Sequence, residues 1–528
     1  MTNCRPKYTT GLGLFLGMVL LFGANVNAQS KSRPNIVLIN ADDLGYGDLG
    51  CYGAKLVSTP NIDKLAEGGK RFLDAHSASA VCSPSRWGLM TGMYPHRKNF
   101  WGPANFREPL TIDTQQLTLP KLLKECGYET ACIGKWHLGF GQTKTDWNQP
   151  LKPGPLEIGF DSFYGIPCVN SGPPFVFIRD HQVVNFDPKD PFVYGQKSVT
   201  KSHPEKGGYK AIGGAIKAHQ EYDDEMVATK LTKEAVSWLQ NQSASKPFFL
   251  YFATTNIHHP FTPAKRFVGT SRCGLYGDFI HELDWMVGEI TKTLKEKKLF
   301  DNTLIVFTSD NGGMFHVTGQ KAWKAGHRLN GRLQGFKFGA WEGGHRVPFI
   351  AHWPGHIKPG STSRQLISQI DLLATFAAVV EQSIPEDANV DSLNQLPEWV
   401  GESKQPIRDR LVISPNSPKH LAVRKGNWVY IPEQGAGGFQ GKKPGNHLFS
   451  DAPALPFCNR EHSDYRDGRL VESAPAAQLY HLEKDPGQTK NLVKDYPEKV
   501  KELQAILRSH VDNIPDSRRI GWINLKQK

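Results

Sequence analysis

The pentapeptide Cys82-Ser83-Pro84-Ser85-Arg86 places a cysteine beside hydroxyl groups and a cation. The proline suits the first turn of a helix, which Trp87 to Met90 can continue as far as Gly92. Cys82 is then expected at a helix N-terminus, where free N–H groups and the helix dipole favour an anion. The pattern predicts a reactive cysteine or an anion site. A buried structural cysteine fits these polar neighbours poorly.

Four clusters of polar residues each follow an apolar run that predicts a strand. In chain order, Asp42-Asp43 follow Asn35–Ile39, Lys135 and His137 follow Thr130–Ile133, Asn256 and His258 follow Pro247–Phe252, and Asp310-Asn311 follow Thr303–Phe307. Ligands of an open parallel sheet bind beyond the carboxyl ends of its strands, so these clusters are expected to converge on one site. Any single cluster could instead be a turn or a helix cap.

Asp42, Asp43, Asp310 and Asn311 offer only oxygen ligands, which suit calcium or magnesium rather than zinc. Three carboxylates packed together would repel one another, which favours one bound divalent ion. His137 and His258 are better suited to proton transfer or hydrogen bonding than to metal binding, although either could be a structural histidine.

The elements that must position these groups alternate along the chain. A helix is predicted over Leu119–Glu125, and another from the apolar spacing of Ile280, Leu283, Val287, Ile290 and Leu294. Val347–Trp353 predicts a further strand. This alternation indicates an α/β fold with a large, mostly parallel or mixed sheet sandwiched by helices. Residues 142–220, rich in Pro, Gly and His, are expected to run over the surface as a long excursion.

The pattern of predicted strands and helices changes near residue 415. Leu421–Ile431 and Gln478–Leu482 predict strands of a small antiparallel sheet, Pro432–Asn459 a loop, and Tyr496–Leu507 a closing helix. The predicted organisation is a signal peptide at 1–28, a catalytic domain at 29–414, and a smaller α+β subdomain at 415–528.

The N-terminus predicts export. Arg5 and Lys7 precede an apolar run from Gly11 to Gly23, and Val26-Asn27-Ala28 forms a small-residue cleavage site. An uncleaved membrane anchor is the alternative, but the run is short for a span. Removing Arg5 and Lys7 from 63 basic residues leaves 61 against 51 acidic ones, a net charge of +10. Export to the periplasm or the extracellular space, together with this charge, favours anionic partners outside the cytoplasm and argues against intracellular nucleic acid.

The cysteine count becomes odd when the signal peptide is removed. Seven cysteines remain once Cys4 is removed with the signal peptide. An odd number in an oxidising compartment leaves at least one that is unpaired or chemically special.

The pentapeptide resembles the signature of type I sulfatases, in which a maturation enzyme oxidises the cysteine to formylglycine (3-oxoalanine). Other segments are similar too: Leu89–Gly92, Gly134–Gly139, Thr308–Gly312, Lys337 with Glu342-Gly343-Gly344, and Leu479–Pro486. The similarity runs from about Arg33 to Leu507. It looks closest to arylsulfatase A and N-acetylgalactosamine-6-sulfatase, partly through Phe267–Ser271 and Tyr276–Asp278. The resemblance implies an alkaline-phosphatase-like sheet.

The resemblance also implies a role for each matching residue. Hydrated formylglycine at position 82 attacks sulfur, expels the alcohol and carries a sulfate ester, and loss of a proton from its other hydroxyl then expels sulfate. One metal ion, expected to be Ca2+, is held by Asp42, Asp43, Asp310, Asn311 and the modified Cys82. Arg86 orients the formylglycine, and the groups expected to bind sulfate or move protons are Lys135, His137, His258 and Lys337. His259 competes with His258 for its role.

The expected substrate is a sulfated carbohydrate, such as a 6-sulfated galactose or N-acetylgalactosamine. One alternative is a phosphate or phosphonate ester hydrolase on the same fold, which an additional His/Asp metal set would favour. The other is an inactive protein that binds sulfated glycans.

Overall fold

The computed structural model describes residues 33–199, 210–388 and 390–512, apart from the side chain of Lys210. The predicted signal peptide lies outside these residues. The strands are β1 (Asn35–Ala41), β2 (Lys70–Phe72), β3 (Ala75–His76), β4 (Glu129–Lys135), β5 (Ser162–Ile166), β6 (Ile178–Arg179), β7 (Gln182–Val183), β8 (Phe192–Lys197), β9 (Lys210–Gly214), β10 (Phe248–Ala253), β11 (Thr303–Ser309), β12 (Phe349–His352), β13 (Ser361–Ser363), β14 (Ile367–Ser368), β15 (Arg410–Ile413), β16 (Ala422–Lys425), β17 (Trp428–Ile431), β18 (Tyr465–Arg466), β19 (Arg469–Leu470) and β20 (Gln478–His481).

The helices alternate with many of these strands. They are α1 (Pro60–Gly68), α2 (Cys82–Thr91), α3 (Leu119–Glu125), α4 (Ile216–Gln220), α5 (Val227–Gln240), α6 (Leu275–Glu296), α7 (Val317–Lys324), α8 (Leu372–Val379), α9 (Leu396–Val400), α10 (Ala454–Phe457) and α11 (Pro497–Asp512). None of these described helices has both the length and the apolar character needed to cross a membrane.

One mixed sheet of ten strands dominates the described part of the chain, in the order β13-β2-β12-β11-β1-β10-β4-β5-β6-β7. The central strands β11, β1, β10, β4 and β5 are parallel to one another. β12 pairs antiparallel with β11, and β6 pairs antiparallel with β5. The strand predicted at Val347–Trp353 therefore forms, but it runs against the parallel block.

Both faces of this sheet are covered. Successive residues of a strand point to opposite faces, and in β1 Ile36 belongs to one hydrophobic cluster while Val37 belongs to the other. α1, α5 and α6 pack into the cluster of Val37, whereas α2, α3 and α8 pack into that of Ile36. Burial on both faces explains why the centre of β1, Ile36–Ile39, is a continuous apolar run rather than an alternating pattern.

The segment 142–220 differs from its prediction. Ser162–Ile166 is not part of a surface excursion: it is β5, which pairs with β4 inside the main sheet. A Cβ added at Gly165 would lie 1.7 Å from the carbonyl oxygen of Gly134, so the two strands can approach this closely because Gly165 lacks a side chain. The glycine that makes this pairing possible also interrupts the apolar pattern of the strand.

The C-terminal region contains the predicted antiparallel sheet, in the order β15-β16-β17-β20. Its first strand begins at Arg410, and the predicted strand Leu421–Ile431 is a hairpin of β16 and β17. α11 packs on this sheet through Leu503 and Leu507. Within the predicted loop Pro432–Asn459 a short helix forms, α10. The division of the chain at 414/415 stays a prediction.

Candidate active site

The carboxyl ends of four adjacent parallel strands lie level with one another. In the order β11-β1-β10-β4, Asn40 is in register with Thr308 and with Ala253, which is in register with Gly134. The side chains that follow therefore meet at one edge. The contacts of Lys135 Nζ with both Asp42 carboxylate oxygens, at 2.8 Å, and of Asn311 Nδ2 with Asp43 Oδ1, at 2.9 Å, confirm this convergence.

Cys82 is the first residue of α2, and the helix ends at Gly92 in the left-handed conformation, as predicted. Arg86 lies one turn further on. Its Nε and Nη2 atoms lie 2.9 and 2.8 Å from Asp310 Oδ2, and its Nη1 donates to the carbonyl oxygen of Lys135. The helix N-terminus is thereby tied to the ends of β4 and β11.

The Cys82 side chain is buried, at 2% exposure. Burial raises the pKa of its thiol, although Lys135 and Lys337 act in the opposite direction. A thiol with a raised pKa is a poor source of thiolate, which is the nucleophilic form of cysteine. The environment therefore suits an unreactive precursor better than a thiolate nucleophile.

Three cations oppose the three carboxylates of the site. Arg86 pairs with Asp310, Lys135 with Asp42, and Lys337 Nζ lies 2.6 Å from Asp43 Oδ1. All six side chains are at most 2% exposed. Repulsion among the carboxylates therefore does not by itself require a metal ion, because these cations already balance the buried negative charge.

A different observation fits a metal ion. Asp43 Oδ2 and Asn311 Oδ1 are buried and accept no hydrogen bond from any described group. Burial raises the pKa of Asp42 to about 7, and repulsion by Asp310 and Asp43 adds to the effect. Asp43 Oδ2 and Asn311 Oδ1 lack hydrogen bonds and lie beside the Asp42 carboxylate, whose charged form is disfavoured. A hard cation would bind these oxygens and stabilise the charged form of Asp42. Asp310 is less available, since its oxygens already accept from Arg86 and from the Asp43 amide.

The Sulfatase family model matches residues 34–382. An N-acetylgalactosamine-6-O-sulfatase of Bacteroides thetaiotaomicron is 38% identical over 530 residues, covering 94% of this chain and 98% of that protein. The chain belongs to the sulfatase family. The human N-acetylgalactosamine-6-sulfatase is 31% identical, over 90% of this chain and 85% of that protein.

A solved structure supports the same assignment. It comes from work on the metabolism of multiple glycosaminoglycans by Bacteroides thetaiotaomicron, and it has a TM-score of 0.78 and 36% identity over 90% of this chain and 99% of that chain. The predicted alkaline-phosphatase-like sulfatase fold is confirmed. The protein is a sulfuric ester hydrolase.

In this sulfatase His137 lies at the end of β4 with a positive φ of 60°. Its Nε2 atom lies 3.0 Å from the carbonyl oxygen of Ala104, so Nε2–H donates there and Nδ1 carries the lone pair. Nδ1 has no hydrogen-bond partner among the described groups. Burial and the cations of Lys135 and Arg86 hold the pKa of His137 well below its usual range, so the ring is neutral and able to accept a proton.

His258, rather than His259, faces the carboxylates. Its Nε2 atom lies 3.7 Å from Asp43 Oδ2, and its Nδ1 donates to the carbonyl oxygen of His259. The ring of His259 stacks between those of His258 and His316, at centroid distances of 4.5 and 4.7 Å. Asn256 does not join the sulfatase site: its side chain amide donates to Glu282 and to the carbonyl oxygen of Phe279.

The segment that follows β5 also reaches the sulfatase site, and the sequence gives no signal for it. After β5, the carbonyl oxygen of Pro167 accepts from the His137 amide, and Asn170 Nδ2 lies 3.4 Å from the carbonyl oxygen of His258. β5 is therefore a further strand whose end reaches the site. The sequence does not predict the contribution of Pro167 and Asn170, because it does not predict β5.

An aromatic wall stands beside Cys82. Phe338 packs with Cys82 in a small cluster and meets Phe439 edge to face, with ring centroids 4.8 Å apart. Phe338 adopts a φ of 82°, which is unusual for a bulky residue and marks a locally strained turn directly after Lys337. Phe439 comes from the loop after β17, so the C-terminal region contributes to the surroundings of Cys82.

The turn that follows Lys337 is also held from the C-terminal region. Trp341 Nε1 donates to Gln478 Oε1 at 3.0 Å, and the Glu342 amide donates to Gln488 Oε1 at 2.7 Å. All four residues are buried. These hydrogen bonds fix the segment that carries Lys337.

A second group of possible metal ligands lies outside this site. Ligand atoms of His76, Glu342 and His345 lie within 4.8 Å of one another. The two imidazoles contact each other through their Nδ1 atoms at 2.9 Å, and Arg346 binds Glu342 Oε2 at 2.6 Å. Another guanidinium, that of Arg424, lies 3.2 Å from His76 Nε2. The two guanidinium groups make the group a poor cation site.

Proposed function

We propose that this sulfatase releases sulfate from a sulfated carbohydrate of the galactose 6-sulfate or N-acetylgalactosamine 6-sulfate type, using formylglycine made from Cys82. One observation carries the proposal: Cys82 stands at the N-terminus of α2 with a neutral thiol, in a buried site that holds both carboxylates and cations. The names of the relatives, which are N-acetylgalactosamine-6-sulfatases, support the substrate class.

The proposed cofactor is one divalent ion, with Ca2+ favoured by the all-oxygen donor set of Asp42, Asp43, Asp310, Asn311 and the modified residue 82. When bound, it supplies Lewis-acid polarisation of the sulfate group and lowers the pKa of the attacking hydroxyl. An ammonium group has three N–H donors. Lys135 and Lys337 can therefore keep their contacts with Asp42 and Asp43 and still donate to sulfate oxygens.

The charges of the site support this arrangement. Since Arg86, Lys135 and Lys337 balance Asp42, Asp43 and Asp310, a divalent cation alone would leave a buried charge of +2, which is costly. The sulfate group of the ester is a monoanion and would lower this charge to +1. We therefore expect the metal ion and sulfate to bind cooperatively.

His137 is the proposed base. Its Nδ1 lone pair is uncommitted, and its role is to take the proton from the second hydroxyl of hydrated residue 82, so that the sulfate ester breaks and the aldehyde reforms. Arg86 holds the N-terminal turn of α2 against Asp310 and so orients residue 82. His258 is proposed to donate from Nε2 to sulfate and to the leaving oxygen as the doubly protonated imidazolium, a form that the bound sulfate anion favours, since its Nδ1–H is already held by the carbonyl oxygen of His259.

Export to the periplasm or the extracellular space, and a formylglycine-generating maturation enzyme as a partner, belong to the same proposal. The signal-peptide pattern of residues 1–28 supports export.

Mass spectrometry of the peptide that contains Cys82, from cells with the maturation enzyme, tests the chemistry. We expect the aldehyde and its hydrate, together with sulfate release from N-acetylgalactosamine 6-sulfate or galactose 6-sulfate. The 4-sulfate isomers, a phosphate monoester and a phosphonate ester are the comparison substrates. An unmodified cysteine with no sulfate release would overturn the proposal, and faster cleavage of the phosphorus esters would favour the phosphate or phosphonate hydrolase.

A further inference from the structure

A groove of about 790 Å3 lies in the C-terminal region, between the loop after β17 and the β18–β19 hairpin. One wall is Gln440–Pro444. This wall follows directly on Phe439, whose ring contacts Phe338 beside Lys337. The loop after β17 therefore contributes one residue to the aromatic wall of the candidate active site and the next five to the groove.

The rim of this groove is positively charged. Lys419, Lys442, Lys443 and Arg469 line it, and none of the four lies within ion-pair distance of a carboxylate in the described part of the chain. The lining carboxylates are fewer, Glu433 and Asp467. By contrast, Lys425 and Lys499 in the same region are both paired with Glu502, at 2.8 and 2.5 Å. Cations left without partners on one concave surface attract anions.

The floor of the groove is apolar and its walls are fixed. Phe449 is buried beneath it, Tyr465 is half-buried, and Leu470 is 44% exposed. Asp451 accepts from the amides of Ala436 and Gly438, at 2.9 and 3.2 Å, which holds the loop that carries Phe439. Apolar surface flanked by a few polar groups is the usual composition of a binding site for an organic ligand.

We infer that this groove binds further anionic sugar units of a polysaccharide chain whose sulfated residue occupies the candidate active site. Sugar rings would lie on the apolar floor, and their sulfate or carboxylate groups would meet the cationic rim. The inference rests on the proposed function for the position of the reacting residue. It adds that the substrate is a chain rather than a single sugar.

The test compares two triple variants that lose the same charge. Lys442→Ala/Lys443→Ala/Arg469→Ala removes three rim cations. Lys64→Ala/Lys233→Ala/Lys358→Ala removes three exposed cations elsewhere. Sulfate release is measured on N-acetylgalactosamine 6-sulfate and on a chondroitin 6-sulfate hexasaccharide. For the rim variant we expect KM on the hexasaccharide to rise about fivefold or more at low ionic strength, with kcat on the monosaccharide unchanged.

Equal KM values for the two variants on the hexasaccharide would overturn the inference. So would an equal rise of KM on both substrates for the rim variant, because that would indicate a disturbed active site. Hexasaccharide binding to the unreacting Cys82→Ala protein is measured by calorimetry, with and without the rim substitutions. If no substrate is hydrolysed but rim-dependent binding persists, the groove stands and the proposed function fails. If sulfate is released normally but hexasaccharide binding is unchanged by the rim substitutions, the inference about the groove is wrong and the proposed function stands.

Discussion

Lys337 and Asp43 form a buried ion pair across 294 positions of sequence, with Nζ 2.6 Å from Oδ1. Burial alone would raise the pKa of Asp43, but Lys337 and Lys135 hold it below its usual value. The other oxygen of Asp43, Oδ2, faces His258 and has no hydrogen bond among the described groups. One carboxylate oxygen of Asp43 is thus bound by the protein, and the other is available to a ligand.

Lys337→Met is expected to destabilise the metal-free protein. It leaves Asp43 as a buried charge without its cation, and breaking such a pair costs about 3–5 kcal/mol. The melting temperature should fall by a few degrees and should recover more on addition of Ca2+ than that of the unaltered protein. Lys358→Met, at an exposed position, is the control. Equal melting temperatures in EDTA would contradict the assigned role of Lys337.

Cys82→Ser is expected to arrest the proposed reaction half-way. A serine hydroxyl can attack sulfur and carry the ester, but it lacks the second hydroxyl that expels sulfate. Intact-protein mass spectrometry after incubation with substrate should show one added sulfuryl group per chain, without turnover. Cys82→Ala should show neither. Sustained sulfate release by the serine variant would mean that residue 82 does not carry the ester.

Glu282→Gln is expected to change how stability depends on pH. Burial raises the pKa of Glu282 from 4.5 to about 7. Between these values the folded protein keeps a proton that the unfolded chain has lost, so the stabilising contribution of this group is full below pH 4.5 and disappears as pH rises through 7. The variant should lack this decline, which amounts to about 3 kcal/mol.

Urea unfolding from pH 4.5 to 8 measures the difference between Glu282→Gln and the unaltered protein. Glu296→Gln, an exposed change near the end of the same helix, is the matched control. A difference that stays constant over this range would show that Glu282 titrates at its ordinary pKa.

Gly165→Ala is expected to force β5 away from β4. The added methyl group would lie 1.7 Å from the Gly134 carbonyl oxygen, which is backbone and has no rotamer to change. The strain should reach Lys135 through the end of β4, so that sulfate release and melting temperature both fall. Gly102→Ala, where nothing lies within 4 Å of the added Cβ, should behave like the unaltered protein. Similar behaviour of the two variants would argue against the close approach.

The sequence predicts those strands and helices whose pattern of apolar and polar residues reflects how they are buried. The centres of β1, β10 and β11 are apolar because both of their faces are buried, and the first turn and the end of α2 are marked by Pro84 and Gly92. β5 was missed because Gly165 interrupts its pattern, and the direction of β12 has no local signal. The convergence of Asp42, Lys135 and Asp310 followed from topology alone.

Other features of the site depend on contacts that no local pattern encodes. The pairing of each carboxylate with its own cation is set by three-dimensional packing, as in Lys337 with Asp43. Asn256 looked equivalent to His258 from its position after a strand, but its side chain turns toward Glu282. Phe439 reaches Phe338 across 101 positions, so its place beside Cys82 could not be read from either segment.

The clamp of Gln478 and Gln488 on Trp341 and Glu342 has a consequence for biosynthesis. A chain made from its N-terminus reaches residue 478 well after Lys337, so the segment of Lys337 lacks its final anchors until then. The buried surroundings of Cys82 therefore close late. In the folded protein Cys82 is 2% exposed, so we expect that any protein that modifies this position must act before these contacts form.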